Sequence, residues 1–185
     1  MADQVLTQDE LNALFQSLTA TLTGLRPNSG VRLSWPTRGA PGWKITDSIA
    51  FLRVTPTSSP YIQQRNATFV DAGDGVNVDV TTQSTRVHEV QWTIYSPSAY
   101  DLASALKDGL YTQAAHDTLA ASNLYLVLDI PAPVRVPELF NGQWWDRCDL
   151  QANFNEDVLR YSQTPYLESA QVTLETEDGQ EEVVQ

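Results

Sequence analysis

The chain has 185 residues, 42% of them hydrophobic, which suits one domain able to bury a core. Eleven Lys and Arg stand against 23 Asp and Glu, a net charge of −12 that supplies no basic footprint for nucleic acid or anionic lipid. No run approaches the ~18 apolar residues of a membrane span, no basic start leads into an apolar signal segment, and a lone Cys148 forbids an internal disulfide, so the chain is expected in a cytoplasm or in a particle assembled there.

The first predicted element is a helix. Thr7 and Glu10 have capping-box spacing, Leu6 and Leu11 stand where a hydrophobic staple would, and Leu11, Leu14, Phe15, Leu18, Leu22 and Leu25 recur at helical intervals. Gly24 is its expected stop, with Pro27 just beyond. A turn at Pro27–Gly30 leads into a short alternating strand of Val31, Leu33 and Trp35. The Gly/Pro-rich segment 36–42 has too few glycines, too far from a helix start, to cradle phosphate, and reads as a plain loop. Ile49–Val54 is a second strand, closed by Pro56–Pro60.

Ala67–Val70 and Val76–Val80 flank Asp71-Ala72-Gly73-Asp74-Gly75, the pattern of a hairpin. Asp71, Asp74 and Asp79 do not have EF-hand spacing and lack its closing Glu, so they read as turn residues. Val87–Ser96 is a strong strand with Val90, Trp92 and Ile94 on one face. Ser98 and Asp101 have cap spacing for a helix that Gly109 is expected to break, and Thr112–Ala121 forms a second helix. The apolar run Leu124–Ile130 suggests a central strand covered on both faces.

The next stretch organises the chain. Pro137 to Gly142 is a turn, with Asn141-Gly142 tolerating positive φ. Cys148, Leu150, Ala152 and Phe154 then alternate with Asp149, Gln151, Asn153 and Asn155, the period of a strand with one buried face. Adjacent Trp144 and Trp145 must face opposite sides, so one can enter the core while the other meets a helix, another subunit or water. Ser169–Leu174 is the expected final strand, and Glu168–Gln185 holds six carboxylates and no Lys or Arg, an acidic and partly flexible tail. The organisation is thus one domain over 1–167, followed by the final strand and tail over 168–185. The fold class is α+β: a mixed, largely antiparallel sheet carrying the N-terminal helix and the 98–121 helical hairpin.

No catalytic, cofactor or metal site emerges. His88 and His116 lie 28 positions apart without ligand-spaced partners, and no serine sits in a Gly-x-Ser-x-Gly elbow. Asp146 and Asp149 are three apart on a strand, so they face apart and cannot flank one glycoside. Arg147 and Asp149 share a face and can pair. Trp144, Trp145 and Arg147 are residue types that anchor protein contacts, and they are the interaction candidates.

The run Pro-Glu-Leu-Phe-Asn-x-x-Trp-Trp-Asp-Arg-x-Asp-Leu-x-x-x-Phe-Asn ending at Asn155 resembles the C-terminal signature of phage neck or tail terminator proteins. Trp92–Ser96 with Tyr100–Ala103, and Arg32–Pro36, resemble other blocks of that family, so the resemblance spans roughly 30–165. It implies a lambda-type tail terminator fold and a non-enzymatic virion protein that closes the tail as a hexameric ring, assembled in the host cytoplasm. The implied partners are further copies of the chain, the tail tube protein, the sheath protein and the head–neck connector protein, with genomic DNA only in transit through the lumen. A dodecameric head–neck connector is the rival within the virion. A carbohydrate-binding module or hydrolase using Trp144 and Trp145 is the rival of another class.

Overall fold

The computed structural model describes residues 2–35, 39, 42–58, 60–166, 172–175 and 181–184. Helix α1 (Gln8–Thr23) starts at the expected capping box: Thr7 N–H donates to the Glu10 carboxylate at 2.8 Å and Glu10 N–H to Thr7 Oγ1 at 3.3 Å. It ends at Gly24, whose φ of 70° is the left-handed cap that favours glycine. The strands β1 (Val31–Leu33), β2 (Ile49–Thr57), β3 (Arg65–Asp71) and β4 (Asn77–Tyr95) precede helices α2 (Ala99–Leu110) and α3 (Gln113–Ala120). Then follow β5 (Leu124–Leu126), β6 (Val134–Arg135), β7 (Glu138–Phe140), β8 (Gln143–Trp145) and β9 (Arg147–Pro165). Val172–Glu175 (β10) and Glu181–Val184 (β11) pair antiparallel as a separate two-stranded sheet. The expected final strand 169–174 thus lies partly outside the described residues, as do most of the acidic tail and much of the 36–42 loop.

The main sheet runs β1-β2-β4-β9-β5, with β3 added to β4 and β6 to β9. Among the described residues only the β1–β2 pair is parallel, so the class is α+β with a mixed, largely antiparallel sheet. Alternation decides the faces. Ala50, Leu52 and Val54 of β2, Val90, Trp92 and Ile94 of β4, and Cys148, Leu150, Ala152 and Phe154 of β9 are all buried against the helices. From the helices come Leu11, Phe15 and Leu18 of α1 and Ala103, Leu106 and Leu110 of α2. The Phe15 and Phe154 rings meet at 4.7 Å. The one polar edge of Trp92 is satisfied: its indole N–H donates to buried Thr19 Oγ1 at 2.9 Å.

Several expectations are corrected. The two segments 76–80 and 87–96 are one continuous strand of 19 residues, because β3 and β2 pair with successive halves of β4. β2 passes through Pro56, whose nitrogen falls on the outward side beyond the end of β1, where no ladder bond is lost. Leu124–Ile130 is not a central strand. Only Leu124–Leu126 pairs, at the sheet's outer edge, and Tyr125 is 43% exposed. Ser98 precedes α2 without a side-chain cap; instead Ser96 Oγ accepts the Ser98 N–H at 3.1 Å. Gly109 does not break α2. It lies inside the helix where a Cβ would come 3.0 Å from Leu22 Cδ2, so it sets the close approach of α1 and α2.

A polar cluster lies where the helix layer ends. Glu156 occupies a core-facing position of β9 and is 1% exposed. Arg86, directly opposite on β4, reaches it with Nε at 2.9 Å and Nη2 at 2.6 Å, and His88 Nε2 lies 2.7 Å away. Leu6 N–H donates to its other oxygen at 2.8 Å, and Arg86 Nη2 donates to Leu6 C=O at 2.8 Å. The N-terminal segment is thereby fastened to β9, where Gln4 and Leu159 exchange main-chain bonds of 2.9 and 3.1 Å. Burial, the largest single influence, raises the Glu156 pKa; the bonds from His88, Leu6 N–H and Arg86 together outweigh it and hold the carboxyl below its ordinary 4.5.

Two outcomes follow from this packing. Gly109→Val should lower stability by about 1–3 kcal/mol through overpacking against Leu22, read from the urea midpoint. Glu156→Gln should cost about 2 kcal/mol at neutral pH, since charged hydrogen bonds are lost. Because the folded pKa of Glu156 is depressed, its contribution is present above pH 4.5 and fades as pH falls through the folded value. The gap in melting temperature between wild type and variant should therefore narrow below pH 4.5; a gap that widens there contradicts the assignment.

Candidate functional site

The stretch from Glu138 to Asp149 builds the distinctive surface. β7 and β8 form a hairpin closed by Asn141 and Gly142, with φ of 49° and 73°. Two successive positive-φ residues make the type I′ turn whose twist matches the strands, which is why Asn-Gly stands there. The register pairs Glu138 with Trp145, Leu139 with Trp144, and Phe140 with Gln143. One hairpin face carries Trp145, Phe140 and Glu138, and the other carries Leu139 and Trp144. Trp144 is 67% exposed and Leu139 nearly as open.

Trp145 enters an aromatic cluster rather than the helix-backed core. Its ring meets Trp43 at 6.1 Å, Tyr95 at 6.4 Å and Phe140 at 6.0 Å, all near edge-to-face. Phe51 closes the cluster against Trp43 at 5.1 Å and Tyr95 at 6.1 Å. Phe51 and Tyr95 belong to the strand positions that alternate with the core, so the cluster lies on the helix-free face of the sheet. A cleft of about 340 Å³ opens there, lined by Gly42, Trp43, Tyr95, Glu138, Phe140 and Trp145. The indole nitrogens of Trp43 and Trp145 are buried with no acceptor among the described residues.

Charged groups bracket the cleft. Tyr95 donates its hydroxyl to Glu138 at 2.6 Å, and its pKa is pushed up to about 12 by burial first and that bond second. Arg147 forks onto Asp149 with bonds of 2.9 and 2.8 Å, the pairing expected from their shared face. That pairing holds the guanidinium more firmly protonated. Arg147 also lies 3.5 Å from Glu138 and 6.0 Å above the Tyr95 ring. Asp146 is taken up by Arg135 at 2.9 Å. The structure therefore brings Trp145 and Arg147 together around Tyr95 and leaves Trp144 pointing away from both.

Of the groups weighed as ligands, none assembles. The Asp71 carboxylate accepts Gly73 N–H at 2.8 Å, and Asp74 accepts the N–H groups of Val76 and Asn77 at 2.9 and 2.7 Å, as turn residues do. Among the described residues no group of three or more His, Cys, Asp or Glu is placed to hold a metal ion. Sequence reasoning missed Trp43 and Tyr95 as walls of the cleft. Tyr95 was within reach, since it falls on the opposite parity to Trp92 and Ile94; Trp43 sits outside any strand and carried no periodic signal.

The architecture is a mixed, largely antiparallel sheet backed by helices on one face, with the aromatic cleft and its hairpin on the other. The profile of the family described as phage neck terminator protein matches residues 9–180, most of the chain, and the chain belongs to that family. It is thus a structural component of a phage virion, and the expected family is the one found. Among curated proteins none matches significantly. No helix among the described residues is long and apolar enough to cross a membrane.

The two tryptophans should respond differently to truncation. Trp145→Ala removes the edge contacts with Trp43, Tyr95 and Phe140 and should cost about 2 kcal/mol. Trp144→Ala should stay within about 0.5 kcal/mol of wild type. Chemical denaturation of both variants reads the difference, and equal losses would contradict the geometry.

Proposed function

We propose that six copies of this chain close head-to-tail into a ring on the end of the tail tube. The ring caps the last tier of tube protein, ends tail growth and presents its other side to the head–neck connector. Membership of the neck terminator family carries this reading. The surface supports it. Trp144 and Leu139 form an exposed apolar knob, and Trp145 and Arg147 hold its base rigid, the make-up of an interface anchor. In a ring the knob would meet a different surface on its neighbour, a heterologous contact that closes where the rotation between copies returns to the start.

The helix-free face suits DNA in transit. Gln83, Glu89, Gln91, Asp149, Gln151 and Asn153 stand on it, while Arg147 is neutralised by Asp149 and Arg53 is engaged by Gln91 and the Trp35 ring. Arg32 stands there too, beside Phe51, and donates its Nε–H to Ser29 C=O. A lumen whose arginines are engaged in this way, between amides and Glu89, would let phosphates pass without adhering strongly.

The test is a tube-polymerisation assay viewed by electron microscopy. Wild-type chain should halt tube growth and appear as a six-fold ring at the tube end. Trp144→Ser, at a solvent-facing position, should lower capping at least tenfold with an unchanged circular dichroism spectrum. Undiminished tube growth in excess wild-type chain would overturn the reading. A twelve-fold ring bound to the head instead would assign the chain to the connector.

A further inference from the structure

Among the described residues β3 is the longest strand with every residue exposed. All seven of its residues are exposed, and among the described residues it pairs only with β4. Folded proteins blunt such edges with proline, lysine, bulges or a cover. The opposite margin of the same sheet is treated that way. Gln4 bonds Leu159, the Asp3 carboxylate accepts Tyr161 N–H at 2.9 Å, and Pro165 closes the strand. The β3 sequence Arg-Asn-Ala-Thr-Phe-Val-Asp has no proline, lysine or break in register.

The register says which groups are left open. Ala72 N–H donates to Asn77 C=O at 3.2 Å, continuing the ladder that pairs Val70 with Asp79. Main-chain bonds alternate in an antiparallel pair, so Asn66, Thr68 and Val70 direct theirs to β4, and Arg65, Ala67, Phe69 and Asp71 direct theirs outward.

We propose that a second copy of this chain satisfies these groups, β3 pairing antiparallel with the partner's β3 across a two-fold axis at Thr68. In that register Arg65 lies opposite the partner's Asp71 and Ala67 opposite the partner's Phe69, and every outward N–H finds an outward C=O. Opposite charges meet at both ends of the ladder. Sliding by two residues either way strands Arg65 or Asp71 and loses both charge pairs. Parallel alignment in register would set Arg65 beside the partner's Arg65 and Asp71 beside the partner's Asp71. Charge complementarity thus selects one arrangement. A two-fold contact is complete with two copies and cannot recur around a head-to-tail ring. It therefore belongs to the chain before it joins a tail, where it covers the edge that would otherwise recruit strands indiscriminately, and it opens when the ring forms.

The test is site-directed cross-linking with solution mass. At the two-fold axis Thr68 faces the partner's Thr68 as a non-hydrogen-bonded pair, with Cα atoms ~4.5 Å apart, within reach of a disulfide. Thr68→Cys should give a covalent dimer on mild oxidation. Asn66→Cys and Val70→Cys should not, because each would lie ~13 Å from its own copy. Native Cys148 is buried and serves as the silent background. Light scattering should give twice the 20.5 kDa chain mass for wild type. Ala67→Pro, which removes an outward N–H and spares the ladder with β4, should give a single chain with an unchanged circular dichroism spectrum. A single-chain mass for wild type at high concentration, or cross-linking at 66 or 70 as readily as at 68, overturns the pairing. Six-fold rings free in solution that do not cross-link at 68 overturn it and leave the terminator reading standing. A dimer that cross-links at 68 but cannot cap tubes does the reverse.

Discussion

The structure depends on the pairing of β4 with β9, unbroken over all 19 residues of each strand. Side chains alternate along a strand, so this one register assigns every residue of both strands to a face. It puts Trp92 beside Leu150 and Ile94 beside Cys148 under the helices, and Gln91 beside Gln151 and Tyr95 beside Arg147 on the open side. A slip of one residue would exchange the two sets and bring the polar one under Phe15 and Leu106. The hydrophobic difference between the faces is what locks the register, and the aromatic cleft inherits its geometry from it.

The helices cover only part of this long ribbon. On β9 the main core cluster runs from Cys148 to Phe154, and the Glu156–Arg86–His88 cluster follows it. A charge buried there needs full hydrogen bonding to be tolerated, and the cluster provides it from two strands and the N-terminal segment. The polar group thus fixes where the N-terminal segment joins the sheet, which a stretch of apolar contacts would specify less sharply. Past this point Val158 is still buried and β4 is mostly half-buried, while β3 is exposed throughout.

Much of the fold was legible because it follows from local chemistry. Thr7 with Glu10, Gly24, Asn141 with Gly142, and the alternation from Cys148 to Phe154 each signal a conformation within a few residues. What escaped depends on distant partners. Leu124–Leu128 is as apolar as a central strand, yet it lies at the edge, because strand order is decided by which chains pair and not by the run itself. Gly109 looks like a helix breaker until Leu22, far away in sequence, occupies the space its missing side chain leaves. Glu156 sits in a polar triplet with Asn155 and Asp157, and only the parity of β9 shows that it must point inward. At the site, the opposed facing of Trp144 and Trp145 was legible from strand geometry. The destination of Trp145 was not, since Trp43 approaches from a loop.

The two faces of the hairpin meet different surroundings. Its Trp145 face is committed to the aromatic cluster, and its other face keeps Leu139 and Trp144 in solvent. Rigidity on the first face would lower the ordering cost of the contact proposed for the second, because the exposed side chains are already held on a fixed strand pair. Arg147 adds to this by tying the hairpin's exit to Asp149 and Glu138 instead of offering a free charge. On the capping role proposed above, a contact set in advance by the fold would be a more dependable stop signal than one that must be ordered on arrival.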